Sequence, residues 1–417
     1  MKLKDRNKLG VAAPIFQIDL SREPGDRYTE LALAYQEKLP GLIALFNDLL
    51  ETTGIPARYH HPINVMAKLL LRRLYSSIET EELRGISKAV NVPMYLLVAF
   101  NVILDLLMGC TSGAVSSLEP KQPKTEARML HFRTLDWLMD PLRSVIVQLD
   151  FIRSKSKTPT KVIARSITYC GYVGVLTGVR EQLSLSLNFR GVHNASTRSE
   201  HFRFYFHHLL VLLGFRQSIS SILRSYLLSD NQDDQDDKGA KSLGVIAEEI
   251  PPQHTTAAYL TFCDSKTTII LEKDFSSAQI RSSNTFIAAT NHDEATHEPT
   301  ISGPTPATDE KTLGPSRFGS GMEDIIEESE ERLDCITSKW RSQVHRTERR
   351  LRRAATPTES LQPEADTTVS QRELIRWISA YPTTNECTHF AAMMDPKSGT
   401  VLWDRVYPNL PLDLEDD

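Results

Sequence analysis

The sequence predicts a layered α+β fold. Three observations carry that expectation. A strand-like segment is followed by helical periodicity as far as Gly109, alternating runs with only a few helical stretches follow Cys110, and no internal repeat is evident. At 417 residues the chain exceeds a usual single core, so one large domain with insertions, or two domains, is expected.

In chain order, residues 14–20 (PIFQIDL) read as a short strand. Ile15, Phe16 and Ile18 suit a pleated surface, and the charged SREPGDR follows as a turn. Residues 28–39 and 41–51 carry apolar side chains at three- and four-residue spacing and predict two helices punctuated by Pro40. Residues 54–62 read as a polar turn, whose adjacent His60 and His61 have no second cluster with which to bind a metal. Further helices are expected at 63–75 and 80–91, and Pro93 opens the apolar run MYLLVAFNVILDLLMG. That run contains Asn101 and Asp105 and falls short of the roughly 20 apolar residues of a spanning helix, so a buried segment leading to Cys110 is expected.

After Cys110 the texture changes. Residues 114–127 read as the tip of a hairpin whose second arm is 128–137, and 143–152 and 161–168 alternate as paired strands. In TYCGYVGVLTGV, Gly171, Gly174 and Gly178 interrupt a β-type pattern, which marks either close approach of a ligand or a tight sheet crossing. Residues 182–189 form a clean alternating strand. Residues 201–228 read as two helices broken near Gly214, bearing Arg203, Arg216 and Arg224; a core-facing pair and a lipid-facing pair both fit. An acidic, disordered insertion is expected near 229–243, and strands resume at 256–263, 267–273 and 285–290. A Pro-, Thr-, Gly- and Ser-rich insertion spans 292–320, followed by helical spacing at 322–340. The basic segment 341–353 reads as a solvated helix extension or as a patch for an anionic membrane surface. A helix at 370–380 and a hairpin of 388–394 with 400–406 close the chain.

Composition narrows the function. A net charge of -5, from 48 Lys and Arg against 53 Asp and Glu, gives no general affinity for nucleic acid, which needs a concentrated basic face. The five cysteines are an odd number without a CxxC pair, so no zinc site or redox couple is indicated and at least one thiol stays unpaired in a monomer. No metal, nucleotide or redox cofactor has a motif. The N-terminal MKLKDRNKLG is basic but lacks an apolar signal core, so the chain as written begins in the cytosol. The Asn194-Ala195-Ser196 acceptor would matter only after secretion.

Cys110 is the residue around which a chemistry can be built. Gly109 before it has no Cβ, Thr111 and Ser112 after it are small, and Arg133 and Asp136 lie downstream where they could hold and polarise a thiol. A lone cysteine after an apolar run is also the ordinary pattern of a buried structural thiol.

The wider pattern resembles the acid ceramidase and N-acylethanolamine acid amidase family of N-terminal-nucleophile hydrolases, relatives of the bile-salt hydrolases. The likeness lies in PIFQIDLSREPGDRY (14–28), FNVILDLLMGCTS (100–112), RTLDW (133–137), GYVGVLTG (171–178) and SLSLNFR (184–190). It implies an αββα sandwich of two antiparallel sheets flanked by helices, made as an inactive precursor (a zymogen). It also implies autocatalytic cleavage at Gly109-Cys110, giving an α chain of 1–109 and a catalytic β chain of 110–417 that stay together. The substrate class implied is a lipid amide such as ceramide or an N-acylethanolamine. The new α-amine of Cys110, with a reference pKa of about 7.7 to 8.0, is suited to take the proton of a thiol near 8.5. By position, Arg133 favours the thiolate, Asp136 accepts from the α-amine, the Asn291 amide stabilises the oxyanion and Arg332 completes the charge network. Tyr172, Gly174, Asn188 and Phe189 fall at the implied substrate-binding positions.

Three departures stand out. Phe189 occupies a position that is acidic in the relatives, the loops after Cys110 and after Asn291 are longer, and no signal sequence precedes a chain whose relatives work in lysosome-like compartments. Two other readings therefore remain: a catalytically impaired lipid-binding or scaffold homologue, and an acyltransferase or non-lipid amidase of the same fold.

Overall fold

The computed structural model describes residues 10–41, 56–103, 109–118, 126–137, 139–195, 197–228, 240–293, 321–354 and 362–408. Nearly all of the helix expected at 41–51, residues 229–239 of the 229–243 insertion and most of 292–320 lie outside the described residues.

In chain order the elements begin with β1 (Ile15–Asp19), α1 (Thr29–Ala34), α2 (His60–Leu70), α3 (Ser77–Val90) and α4 (Met94–Ile103). The strands β2 (Gly109–Ser117), β3 (Arg128–Asp136), β4 (Ile146–Ile152), β5 (Ala164–Tyr169), β6 (Thr177–Arg180) and β7 (Leu183–Phe189) follow. Then come α5 (Arg198–Leu212), α6 (Ile219–Leu227), α7 (Leu243–Glu249), β8 (Ala258–Cys263), β9 (Thr268–Lys273), β10 (Ala278–Ser283) and β11 (Phe286–Ala289). The chain closes with α8 (Gly321–Ala354), α9 (Gln371–Ile378), β12 (Thr388–Asp395) and β13 (Thr400–Val406).

Two sheets result. One runs β1-β4-β5-β6-β7-β8-β9-β10 and the other β11-β2-β3-β12-β13. All neighbours are antiparallel except β1 and β4, which pair in parallel, so the first sheet is antiparallel-rich rather than purely antiparallel. The sheets lie face to face. His131 of β3 links to Ser184 and Ser186 of β7 at 2.9 Å through its two ring nitrogens. Burial, with Arg133 nearby, drives the His131 pKa down to about 3, so it serves as a neutral bridge between the layers. On the far side of the five-stranded sheet, α8 and α9 cover β11, β2 and β3 with Ile336, Trp340, Leu374 and Trp377 against Val115, Leu130 and Phe132. On the far side of the other sheet, α6 packs over β6 and β7 and α7 over β9. This is an αββα layering, as the resemblance implies.

Several boundaries differ from the sequence expectation. His60 and His61 open α2 instead of lying in a turn, and that helix stops at Leu70. The expected hairpin tip at 114–127 begins later, because β2 continues through Ser117. The small side chains of β2 hid it, since a strand buried on both faces has no alternation to show. Gly113 reveals how tightly it is held: a Cβ there would lie 2.2 Å from the Ile287 carbonyl oxygen and 2.8 Å from the Phe132 ring. The strand β10 and the helix α7 were not anticipated. The basic segment 341–353 is the continuation of a single helix, α8. Among the described residues no helix is long and apolar enough to cross a membrane.

The segment before Gly109 is built into the same core as the rest. It supplies the edge strand β1, and Leu83, Ile86, Leu97 and Val98 join the same buried cluster as Leu149, Tyr172 and Leu223. Polar ties reinforce the contact. The fully buried Glu82 carboxylate accepts from Arg27 at 3.0 Å and from both terminal nitrogens of Arg224 at 2.5 and 2.7 Å. Asn101 donates to the Gly171 carbonyl at 2.9 Å and accepts from the Val173 N–H at 2.8 Å. Removing one partner of such a buried pair leaves its cations uncompensated. Glu82→Ala is therefore expected to lower the unfolding free energy by about 3–5 kcal/mol in a urea titration. A loss below about 1 kcal/mol would mean that water reaches Arg224.

Candidate active site

The site is assembled at the start of β2, where register and parity do most of the positioning. Gly109 pairs with Asp136, Cys110 with Leu135 and Ser112 with Arg133 across the β2–β3 ladder. Period-two alternation turns Cys110, Ser112 and Arg133 toward the other sheet. It sends Asp136 to the opposite face, where Arg332 approaches from α8.

Cys110 is fully buried. Its sulfur receives Arg133 Nη2 at 3.2 Å, and its backbone N–H donates to Asn291 Oδ1 at 2.7 Å. Burial pushes the Cys110 thiol up, with the guanidinium of Arg133 pulling the other way. Arg133, also fully buried, donates through Nη1 to Asn188 Oδ1 at 2.7 Å.

Asn291 follows β11. Its Oδ1 accepts from both the Cys110 N–H and Arg332 Nη2, the latter at 3.0 Å, and its Nδ2 donates to the Phe189 carbonyl at 2.8 Å. Two donors converge on one atom, which identifies that atom as the oxygen. The Asn291 oxygen, and not its amide nitrogen, is thus turned toward Cys110, in contrast to the oxyanion role that the resemblance implies. The Asn291 backbone N–H is held by Ser329 Oγ at 2.7 Å, one turn before Arg332 on α8.

Asp136 accepts from Thr388 Oγ1 at 2.7 Å, and its Oδ2 lies 3.7 Å from Arg332 Nε. Burial raises its pKa above the ordinary 3.8, Arg332 opposing. A carboxyl that holds its proton more tightly when folded adds stability below the unfolded pKa and loses it as the pH rises through the folded value. The stability of the native chain relative to Asp136→Asn is therefore expected to fall as the pH is raised from about 4. Urea unfolding of both proteins at stepped pH measures this, and a difference that grows with pH would contradict it.

The residues expected to bind substrate are placed differently. Asn188 Oδ1 accepts from Arg133 and Ser112, and its Nδ2 is shared by the carbonyls of Ala289 and Thr290 at 3.1 Å each. The capacity of an amide is then spent within the protein, so Asn188 acts as a bracket between the sheets. Tyr172 is buried against Phe100, with ring centroids 5.9 Å apart. A Cβ on Gly174 would meet Ser220 Oγ at 2.8 Å, which makes that glycine a close contact with α6. Phe189 is half-buried at the end of β7 and offers its carbonyl to Asn291.

Thr388, Ser329 and the bond of Ser112 to Asn188 were not foreseen. Ser112 carried a usable signal, two residues after Cys110 on the same strand face; Thr388 lies 252 residues from the carboxylate it serves and had none.

Fold and site together define the class: an αββα sandwich with a thiol, two guanidinium groups, a carboxylate and an amide gathered at the first residues of an inner strand. Comparison with known proteins narrows it. Residues 11–75 match the family model described as the beta subunit of N-acylethanolamine-hydrolyzing acid amidase, so the stretch labelled α above contains the segment which that description calls beta. Acid ceramidase of Homo sapiens is 27% identical over 197 residues, 43% of this chain and 46% of the relative. The N-acylethanolamine-hydrolyzing acid amidase of Caenorhabditis elegans is 26% identical over 186 residues, 42% of this chain and 47% of the relative. Acid ceramidase of Rattus norvegicus is 30% identical over 197 residues, 42% and 45%. The aligned part spans about half the length of these curated relatives. A solved Caenorhabditis elegans ortholog of N-acylethanolamine-hydrolyzing acid amidase superposes with a TM-score of 0.43 at 17% identity, over 72% of this chain and 100% of that one. Over these stretches the chain is similar to acid ceramidases and to N-acylethanolamine-hydrolyzing acid amidases.

Proposed function

We propose that the protein is a lipid amide hydrolase that frees a fatty acid from ceramide or an N-acylethanolamine through a Cys110 acyl-thioester, after cutting its own chain at Gly109-Cys110. The observation that carries this reading is the pair of contacts on one residue: Arg133 Nη2 3.2 Å from the Cys110 sulfur and Asn291 Oδ1 2.7 Å from its nitrogen. The same geometry serves both steps.

In the first step the thiol attacks the Gly109 carbonyl. The C–S bond forms, the C–N bond breaks and the proton passes to nitrogen; water then releases the Gly109 carboxylate and restores the thiol. The new α-amine has Asn291 Oδ1 as a hydrogen-bond acceptor, which orients its lone pair for the thiol proton. In the second step the sulfur attacks the lipid acyl carbon, the amine departs with that proton, and water hydrolyses the thioester. Arg133 lowers the cost of the thiolate, which burial otherwise raises. The ties of Glu82 and Asn101 across the two parts of the chain support their staying together after cleavage.

Phe189 favours the second reading, a lipid-binding homologue without turnover, because an aromatic ring stands where the resemblance implies an acid. Incubating the purified protein with ceramide and with N-acylethanolamines and measuring released fatty acid separates the two. Release from at least one, with acyl-enzyme trapped on Cys110, is expected. Lipid binding without release from any of them would favour the scaffold.

A further inference from the structure

A cleft of about 580 Å³ opens between α5 and the β9–β10 turn, lined among others by His193, Arg203, Phe206, Arg216, His254 and Phe275. None of Cys110, Arg133, Asp136, Asn291 or Arg332 lines it. The acids on its walls are already committed. Asp274 accepts from His193 Nδ1 at 2.5 Å and from the Asn194 and Phe275 N–H groups at 2.8 and 2.7 Å, and Glu200 closes a capping box with Thr197.

What is left uncommitted is most of two guanidinium groups and one imidazole nitrogen. Arg203 has no hydrogen-bond or ion-pair partner among the described residues. Arg216 spends Nη1 on His207 Nδ1 at 3.0 Å, which leaves the rest of its guanidinium fork. His193 is only 5% exposed, stacks on Phe204 at 3.9 Å and has no partner for Nε2. Ser276 and Ser277 add hydroxyl groups. Among the described residues no group of His, Cys, Asp and Glu is arranged to hold a metal ion, so the histidines are not read as ligands.

The geometry points to a binding site for a phosphate group, specifically a phosphomonoester whose organic part lies against Phe206 and Phe275. Two guanidinium forks suit an oxyanion with several acceptor atoms, the O–H of a singly protonated phosphomonoester can donate to His193 Nε2, and the volume exceeds what the anion alone would fill. The surroundings agree. Burial first, and neighbouring cations after it, lowers the pKa of His254, and of His207 to about 3, so neither ring adds charge near neutral pH and Arg203 and Arg216 are the cations that line the cleft. This site does not depend on the amidase reading, since its readout is binding.

Isothermal titration of the full chain with inorganic phosphate and glycerol phosphate, and sedimentation with phosphatidylcholine vesicles with or without phosphatidic acid, tests it. Saturable binding of glycerol phosphate is expected, weakened about tenfold or more in Arg203→Gln and in Arg216→Gln. His193→Phe keeps the stack on Phe204 and is expected to weaken binding as well. Binding to phosphatidic acid vesicles that is lost in the same variants would identify a lipid headgroup as the source; binding of the soluble ester alone would identify a free metabolite. Absence of saturable binding to every probe, or binding unchanged in both arginine variants while they fold with native circular dichroism, would overturn the proposal.

Discussion

Cys110→Ala is expected to run as one intact band on a denaturing gel, whereas the wild-type chain separates into two fragments, the larger beginning at Cys110 on N-terminal sequencing. The same substitution removes the sulfur proposed to form the acyl-enzyme, so amide hydrolysis is expected to fall by about 10⁴-fold or more. Stability is not the cause. Cys110 is a small buried side chain whose sulfur makes a polar contact with Arg133 and a long one, 3.9 Å, with the Leu187 carbonyl, and alanine leaves little empty volume. An uncleaved wild-type chain that nevertheless hydrolyses lipid amides would dispose of the processing step while leaving the nucleophile in place.

Arg133→Met is expected to reduce both processing and hydrolysis by about 10²-fold or more, the scale of losing one preorganised electrostatic contact at a reacting centre. The thiol loses the cation that offsets its burial, so its thiolate becomes scarcer. The fold is expected to hold. Arg133 is fully buried, no carboxylate forms an ion pair with it among the described residues, and its Nε has no hydrogen-bond partner. Burying a cation on those terms costs several kcal/mol, which an apolar side chain of similar length does not incur. Asn188 Oδ1 keeps Ser112 as a donor after the change. The urea midpoint should therefore be no lower than that of the wild type. A parallel loss of stability and activity would make Arg133 a structural bracket.

Of the expected positions, Arg133 and Asn291 contact Cys110, whereas Asp136 lies on the opposite strand face beside Arg332, which reaches Asn291. The positions expected to line a substrate site do not form an open wall, because Asn188 is saturated by protein partners and Gly174 is packed on Ser220. Glycine spacing records close approach without saying what approaches, and here it is α6. The boundary of β2 was similarly hidden, since GCTSGAVSS has neither large side chains nor alternation to mark a strand buried on both faces.

The amino-acid sequence alone determined the order of helices and strands over long periodic stretches and the resemblance that singled out Cys110 and its expected neighbours. These follow from local periodicity and from motifs a few residues long. Tertiary structure alone decided which atom of Asn291 faces Cys110, that Thr388 supports Asp136, and that Arg203, Arg216 and His193 share a cleft. Those are relations between side chains whose separation in the chain bears no relation to their separation in space, set by sheet register and by the packing of α5 and α8.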